Sequence, residues 1–269
     1  HTPTRRQRQM CIRDRTEKVH RIEKKDLFQH IKKTIEKQFD TYTSELYELA
    51  SRLDQLKRPV IIYIGGAPGT GKSMLATSLA TRLGINKVIS TDSIREIMRL
   101  AFSNDLLPTL FHSTTEAWKG LPMEFQSSEQ LIAGYCLQAN QVSLGVRAVV
   151  ERTVEEGENL IVEGAHLVPF LHEIAKKEMV DAYHIPITLS IMNEKHHRER
   201  FSERGTKNLR KIENFYLERF DGIRSIHEYT LTQCETDEVE VFDNEDLDET
   251  LNLIIQFSIQ RLFKQVNSE

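Results

Sequence analysis

Residues 60–83 read VIIYIGGAPGTGKSMLATSLATRL, and the rest of the chain is organised around them. An apolar, β-branched run leads into Gly66-Ala67-Pro68-Gly69-Thr70-Gly71-Lys72-Ser73, which satisfies G-x-x-x-x-G-K-[ST] at every fixed position. Backbone N–H groups can wrap a phosphate chain only where no Cβ stands in the way, which accounts for Gly66, Gly69 and Gly71. Beyond the loop, Leu75, Leu79 and Leu83 with Ala76 and Ala80 recur at helical spacing, and Gly84 closes the run. A helix starting at Lys72, Ser73 and Met74 points its positive end at bound phosphate. Lys72 adds a cation for the β and γ phosphates, and the Ser73 hydroxyl is placed to ligate Mg²⁺.

The chain has 269 residues, 39% of them hydrophobic, enough for one α/β domain over 58–269 with a helical extension over 16–57. Its charges nearly balance at a net −4, so no global field draws it to nucleic acid or a membrane surface. No apolar run approaches the ~18 residues of a membrane-spanning helix. Cys11, Cys136 and Cys234 are few and far apart, the usage of a reducing, cytoplasmic compartment and not of a metal site or disulfide framework. The opening HTPTRRQRQMCIRDR lacks the apolar core of a signal peptide; it reads as a non-native leader, outside any functional argument.

Along the extension, Phe28, Ile31, Ile35 and Phe39 form one apolar stripe, which Tyr42, Leu46, Leu49, Leu53 and Leu56 continue. After the phosphate loop, strands are expected at 87–91, 159–163, 182–192 and 239–242 with helices between them. Five strands alternating with helices mean a parallel sheet covered on both faces, the P-loop NTPase architecture. Pro186 suggests an irregularity in the fourth strand. Ser127 and Gln130 resemble a capping box opening a long helix, and 207–232 reads as another.

Strand ends in such sheets face the nucleotide crevice. Asp92, one strand after the loop, is either an N-cap or a carboxylate that takes an acceptor's proton or holds a Mg²⁺-bound water. Glu163 and His166 end the third strand. Residues 108–119, rich in hydroxyls and holding the single tryptophan, suit a substrate rim. In a helical lid near 194–210, Arg200 and Arg204 share a face and can reach the phosphates, whereas His196 and His197 diverge and make a poor metal pair.

These residues define a phosphoryl-transfer site. The guanine-reading N-K-x-D signature is absent, and a rim with arginines favours transfer to a small acceptor over a GTPase switch. Two other readings remain open at this point: a kinase for a different anionic or nucleotide-like acceptor, and a nucleotide-gated interaction module that docks through the N-terminal helices.

Several stretches resemble the 2-phosphoglycerate kinase family: Gly65-Gly66-Ala67 with the phosphate loop, Ser90-Thr91-Asp92-Ser93-Ile94-Arg95-Glu96, Pro108-Thr109-Leu110 with Glu116-Ala117-Trp118-Lys119, and Glu163-Gly164-Ala165-His166-Leu167-Val168-Pro169. The likeness covers about residues 60–235, through Arg200, Arg204 and the Phe220–Tyr229 segment, with Phe170 where a glycine is expected. It implies ATP-dependent phosphorylation of the 3-hydroxyl of 2-phosphoglycerate. An acceptor with a carboxylate and a phosphate needs cations, and Arg95, Lys119, His166, Arg200 and Arg204 are the candidates. The expectation is ATP on Gly66 to Met74, Mg²⁺ on Ser73 and Asp92, acceptor on Arg95, Lys119, Glu163 and His166, and catalysis by Lys72, Asp92, Arg200 and Arg204.

Overall fold

A computed structural model describes residues 29–31, 33–34, 41–51, 53, 56–122, 129–174, 180–202 and 210–268. The chain divides into two compact units, His1–Ser51 and Arg52–Glu269. Helix α1, Thr41–Ala50, belongs to the first; the leader and the stripe positions Phe28, Ile35 and Phe39 lie outside the described residues.

In the second unit the apolar runs become five strands: β1 Val60–Gly65, β2 Lys87–Ser90, β3 Leu160–Glu163, β4 Tyr183–Ser190 and β5 Glu240–Asp243. All neighbours pair in parallel, in the order β2-β3-β1-β4-β5. Every residue of β1, β3 and β4 is buried, as their near-continuous apolar sequences require, whereas the edge strand β2 is only partly covered. Helix α2 spans Lys72–Leu83, α3 Thr91–Ala101 and α4 Gln130–Glu155. A short α5, Leu171–Ile174, precedes β4; α6, Glu194–Ser202, follows it, and α9, Leu247–Asn267, closes the chain. Ile61, Tyr63, Leu160 and Val162 pack with Val142, Val146 and Val150 of α4, so this long helix seals one face. Alternation sends Ile62, Ile64 and Ile161 to the other face, where α2 and α9 pack together. Each fully buried Leu, Ile or Val contributes roughly 1.5–3 kcal/mol, which makes this two-sided core the main stabilising term.

Two expectations are corrected. The segment 207–232 is not one helix: within its described part, α7 spans Arg210–Leu217 and α8 Phe220–Asp237. Arg219 leaves helical geometry between them (φ −109°, ψ 13°), its guanidinium donating to the Phe215 carbonyl and pairing with Glu116. Pro186 causes no break in β4. The Tyr183 N–H bonds toward β1's side at Pro59, so even-numbered residues of β4 face the opposite side. Pairing with β5 begins only at Ile187, so the missing Pro186 N–H removes no ladder bond. The capping-box serine, Ser127, lies outside the described residues.

Where β5 is too short to cover β4, the side-chain amide of Gln265 replaces a strand. It accepts from His184 N at 3.2 Å and donates to His184 O at 2.9 Å. Gln265→Ala exposes both groups and is expected to lower stability by about 1–3 kcal/mol, read as a shift in urea midpoint with an unchanged m-value.

Candidate active site

The parallel register brings the C-terminal ends of β1, β2 and β3 to one level: Ser90 pairs with Glu163, and Glu163 with Ile64. The loop after β1 rises from this edge. Gly66 (φ 135°) and Gly71 (φ 90°) lie in the left-handed region, and a Cβ at Gly66 would stand 2.3 Å from the Leu189 carbonyl. Gly71 caps α2 without a side-chain bond, and the first intrahelical donor is Leu75 N, to Gly71 O at 3.0 Å. The N–H groups of Lys72, Ser73 and Met74 precede that bond, at the helix N-terminus where anions are favoured. Lys72 is buried and donates to Ala67 O at 2.8 Å, lying back across its own loop.

A cavity of about 260 Å³ opens over the loop. Its lining joins Pro68, Gly69, Gly71, Lys72, Ser73 and Met74 to Asp92 and Arg95 of α3, to Glu163 and to the Ser113–Thr115 hydroxyls. Phe201, Phe215 and Tyr216 supply an apolar wall. The phosphate loop, Asp92, Arg95 and Glu163 are thus brought together. Asp92 is not the N-cap of α3; Ser90 caps it, accepting from Ser93 N at 3.1 Å, and leaves the Asp92 carboxylate exposed on the cavity. Arg95 is mostly buried: one Nη donates to His112 O at 2.5 Å, while Nε has no hydrogen-bond partner and stands 3.8 Å from Asp92. Glu163 is buried and accepts from the Ser73 hydroxyl at 2.9 Å, which sets it beside the magnesium-type donor.

Other expected residues are elsewhere. His166 does not line the cavity and is 1% exposed. Gln138 donates its amide to Thr109 O and His112 O, so its oxygen faces His166 Nε2 at 3.1 Å and must receive a proton. Nδ1 then accepts from the Thr91 hydroxyl at 2.8 Å. Burial pushes this ring down to about 4, which favours the neutral form held between Thr91 and Gln138. Lys119 is spent on Glu116 at 2.5 Å. Glu116 also binds Arg219 at 3.0 Å, and these two partners, Arg219 first, hold its carboxyl down to about 2. Arg200 is not in the cavity lining but stands at the loop, its Nη1 3.2 Å from where a Cβ on Gly71 would be, and it donates to the carbonyls of Asn244 and Glu245 after β5. Arg204 lies outside the described residues. Trp118 is partly exposed and away from the cavity, its backbone pressed so closely on α4 that a Cβ at Gly134 would stand 2.2 Å from Trp118 N.

Sequence reasoning missed two residues under the loop. Asn244, fully buried, donates its amide to Thr70 O at 2.8 Å. His197, also fully buried, meets Pro68 O at 2.8 Å. His196 points outward toward Glu245, and no group of three or more His, Cys, Asp or Glu among the described residues forms a metal cluster.

A parallel sheet of order β2-β3-β1-β4-β5 with a glycine loop, a buried lysine and a serine–carboxylate pair beside an acceptor-sized cavity defines a P-loop kinase. A family model described as an AAA domain matches residues 62–221. The chain is 37% identical to the 2-phosphoglycerate kinase of Methanopyrus kandleri over 84% of this chain and 69% of that protein. It is 38% identical to that of Methanocaldococcus jannaschii, over 79% and 67%, and 39% identical to that of Pyrococcus furiosus, over 83% and 72%. The chain belongs to the 2-phosphoglycerate kinase family.

Burial also holds His197 and His227 down to about 4 from the ordinary 6.5. Because the folded rings resist protons that the unfolded chain takes up, their contribution is complete above pH 6.5 and is lost as pH falls toward 4. Together with His166 they are expected to give an acid-limb slope of up to about 1.4 kcal/mol per pH unit for each ring, checked by urea melts between pH 7 and 4.

Proposed function

We propose that the chain transfers the γ-phosphoryl group of ATP to the 3-hydroxyl of 2-phosphoglycerate, giving ADP and 2,3-bisphosphoglycerate. One observation carries this reading: Lys72 and Ser73 share a single cavity with Asp92, Arg95 and the 113–115 hydroxyls. The phosphate loop binds the triphosphate through main-chain donors and Lys72. Asp92 takes the proton of the acceptor hydroxyl as its oxygen bonds to the γ phosphorus, and the bond to the β–γ bridging oxygen breaks in line. Arg95, whose Nε makes no hydrogen bond, suits the acceptor's anionic groups together with Ser113 to Thr115. Acceptor identity is supported by the relatives' named activity.

The Ser73 hydroxyl and Glu163 carboxylate, 2.9 Å apart, are hard oxygen donors that fit Mg²⁺, which keeps several waters and takes phosphate oxygens. The ion would neutralise charge on the transferring group. Arg204 is proposed as a further cation over the phosphates; Lys119 and His166 drop out of the acceptor site. The free thiols of Cys136 and Cys234 accord with a cytoplasmic enzyme.

In an acceptor panel with ATP and Mg²⁺, 2-phosphoglycerate is expected to stimulate ADP production while glycerate and nucleosides do not; stimulation by another acceptor instead would reassign the substrate. Lys72→Ala is expected to abolish turnover. Arg95→Ala is expected to raise the acceptor's KM about 10- to 100-fold with little change in the KM for ATP, the signature of a charge-assisted bond to the acceptor alone.

A further inference from the structure

We propose that His197 is a positioning residue for the nucleotide: a hydrogen bond from its Nε2–H to the Pro68 carbonyl holds the phosphate loop in its triphosphate-binding shape. The inference rests on nucleotide binding at this loop as proposed above.

The partners leave one tautomer. A carbonyl oxygen only accepts, so the nitrogen 2.8 Å from Pro68 O carries the proton. A guanidinium only donates, so Nδ1, 3.3 Å from Arg224 Nη1, is bare. The same Arg224 Nη1 donates to Ile191 O at 2.9 Å, so the relay is anchored just beyond the end of β4.

Planarity turns this bond into control of the site. In a trans peptide the C=O and the following N–H point in opposite directions, and the chain has no cis bond among its described residues. Holding Pro68 O down on His197 therefore turns the Gly69 N–H away from the ring, toward the cavity that Gly69 lines. Gly69 itself rests on α6: a Cβ there would stand 2.3 Å from the Phe201 ring and 3.0 Å from His197 Nε2. The imidazole is fixed in turn by Phe201, Phe220 and His227, with ring centroids 5.5–5.8 Å away. The charged groups acting on it are Arg224, Lys72 and Arg200, all cations; burial and these charges oppose an imidazolium and outweigh the Pro68 carbonyl, which favours one.

Three replacements separate positioning from packing. His197→Phe keeps a ring and removes both polar contacts, His197→Gln can restore a donor at the Nε2 position, and His197→Asn can restore only the Nδ1 acceptor. Titration of each with MgATP, alongside steady-state kinetics, is expected to show about tenfold weaker ATP binding for Phe and Asn, the worth of one buried hydrogen bond. Gln is expected to recover most of the loss, and the acceptor's KM to stay unchanged throughout. Equal ATP affinity in a folded Phe variant, or rescue by Asn as full as by Gln, overturns the proposal. If the Phe variant does not fold, the Gln–Asn comparison decides alone. Failure of the unsubstituted protein to bind ATP would instead remove the nucleotide reading itself.

Discussion

A loop that binds phosphate through its main-chain N–H groups must leave those donors unpaired while its carbonyls find partners elsewhere, since a buried orphan costs about 1–3 kcal/mol. This constraint explains the surroundings of residues 66–73. Ala67 O receives Lys72 Nζ and the Thr70 hydroxyl, Pro68 O receives His197, Thr70 O receives the Asn244 amide, and Gly71 O receives Leu75 N. Those partners come from the loop itself, from α2, from α6 and from the end of β5. The sheet has to bring β4 beside β1, and β5 beside β4, for the last two to arrive, so the order β2-β3-β1-β4-β5 serves the loop as its glycines do.

The same constraint explains which parts were legible in the sequence. Glycine spacing, the buried lysine and the β-branched runs carry local signals, and all five strands follow from them. Asn244 and His197 carry none, because a single bond from a side chain to a distant carbonyl leaves no periodicity or spacing to read. Strand-end position gives a residue's level in the sheet but not the direction it takes. Glu163, the last residue of β3, meets Ser73 of α2. Three residues on, Gly164 (φ 153°) has turned the chain into the Ala165–Phe170 3-10 helix, and His166 is directed inward to Thr91 and Gln138. Both residues were expected at the acceptor on the same argument, and the turn at Gly164 separates them.

The rim is built by a comparable division of labour. Glu116 takes both Lys119 and Arg219, tying the Thr114–Gly120 turn to the junction where α7 gives way to α8. That junction looked helical because its residues have helical spacing; the ion pair and the Phe215 carbonyl bond draw Arg219 out of the helix. The break sets Phe215 and Tyr216 on the cavity, and Phe220 against Phe201 beneath the loop. A pair outside the cavity lining thus shapes one of its walls.

Charge accounting then limits how catalysis can work. Among the described lining residues, Lys72 and Arg95 are cationic and Asp92 and Glu163 anionic, so the cavity walls are nearly neutral. A triphosphate and a phosphorylated carboxylic acid brought together over this lining, as proposed, would carry far more negative charge than it offsets. Positive charge must therefore arrive with the substrates or close over them. The Ser73–Glu163 pair offers hard oxygen donors that a divalent ion would suit, and such an ion would offset the Glu163 charge. Arg200 rests on the Asn244 and Glu245 carbonyls, with its other Nη beside Gly71 of the loop. The lining's two cations and two anions thus leave the substrates' charge to be met by what binds with them, and the fixed main-chain donors of the loop supply the part of the match that needs no rearrangement.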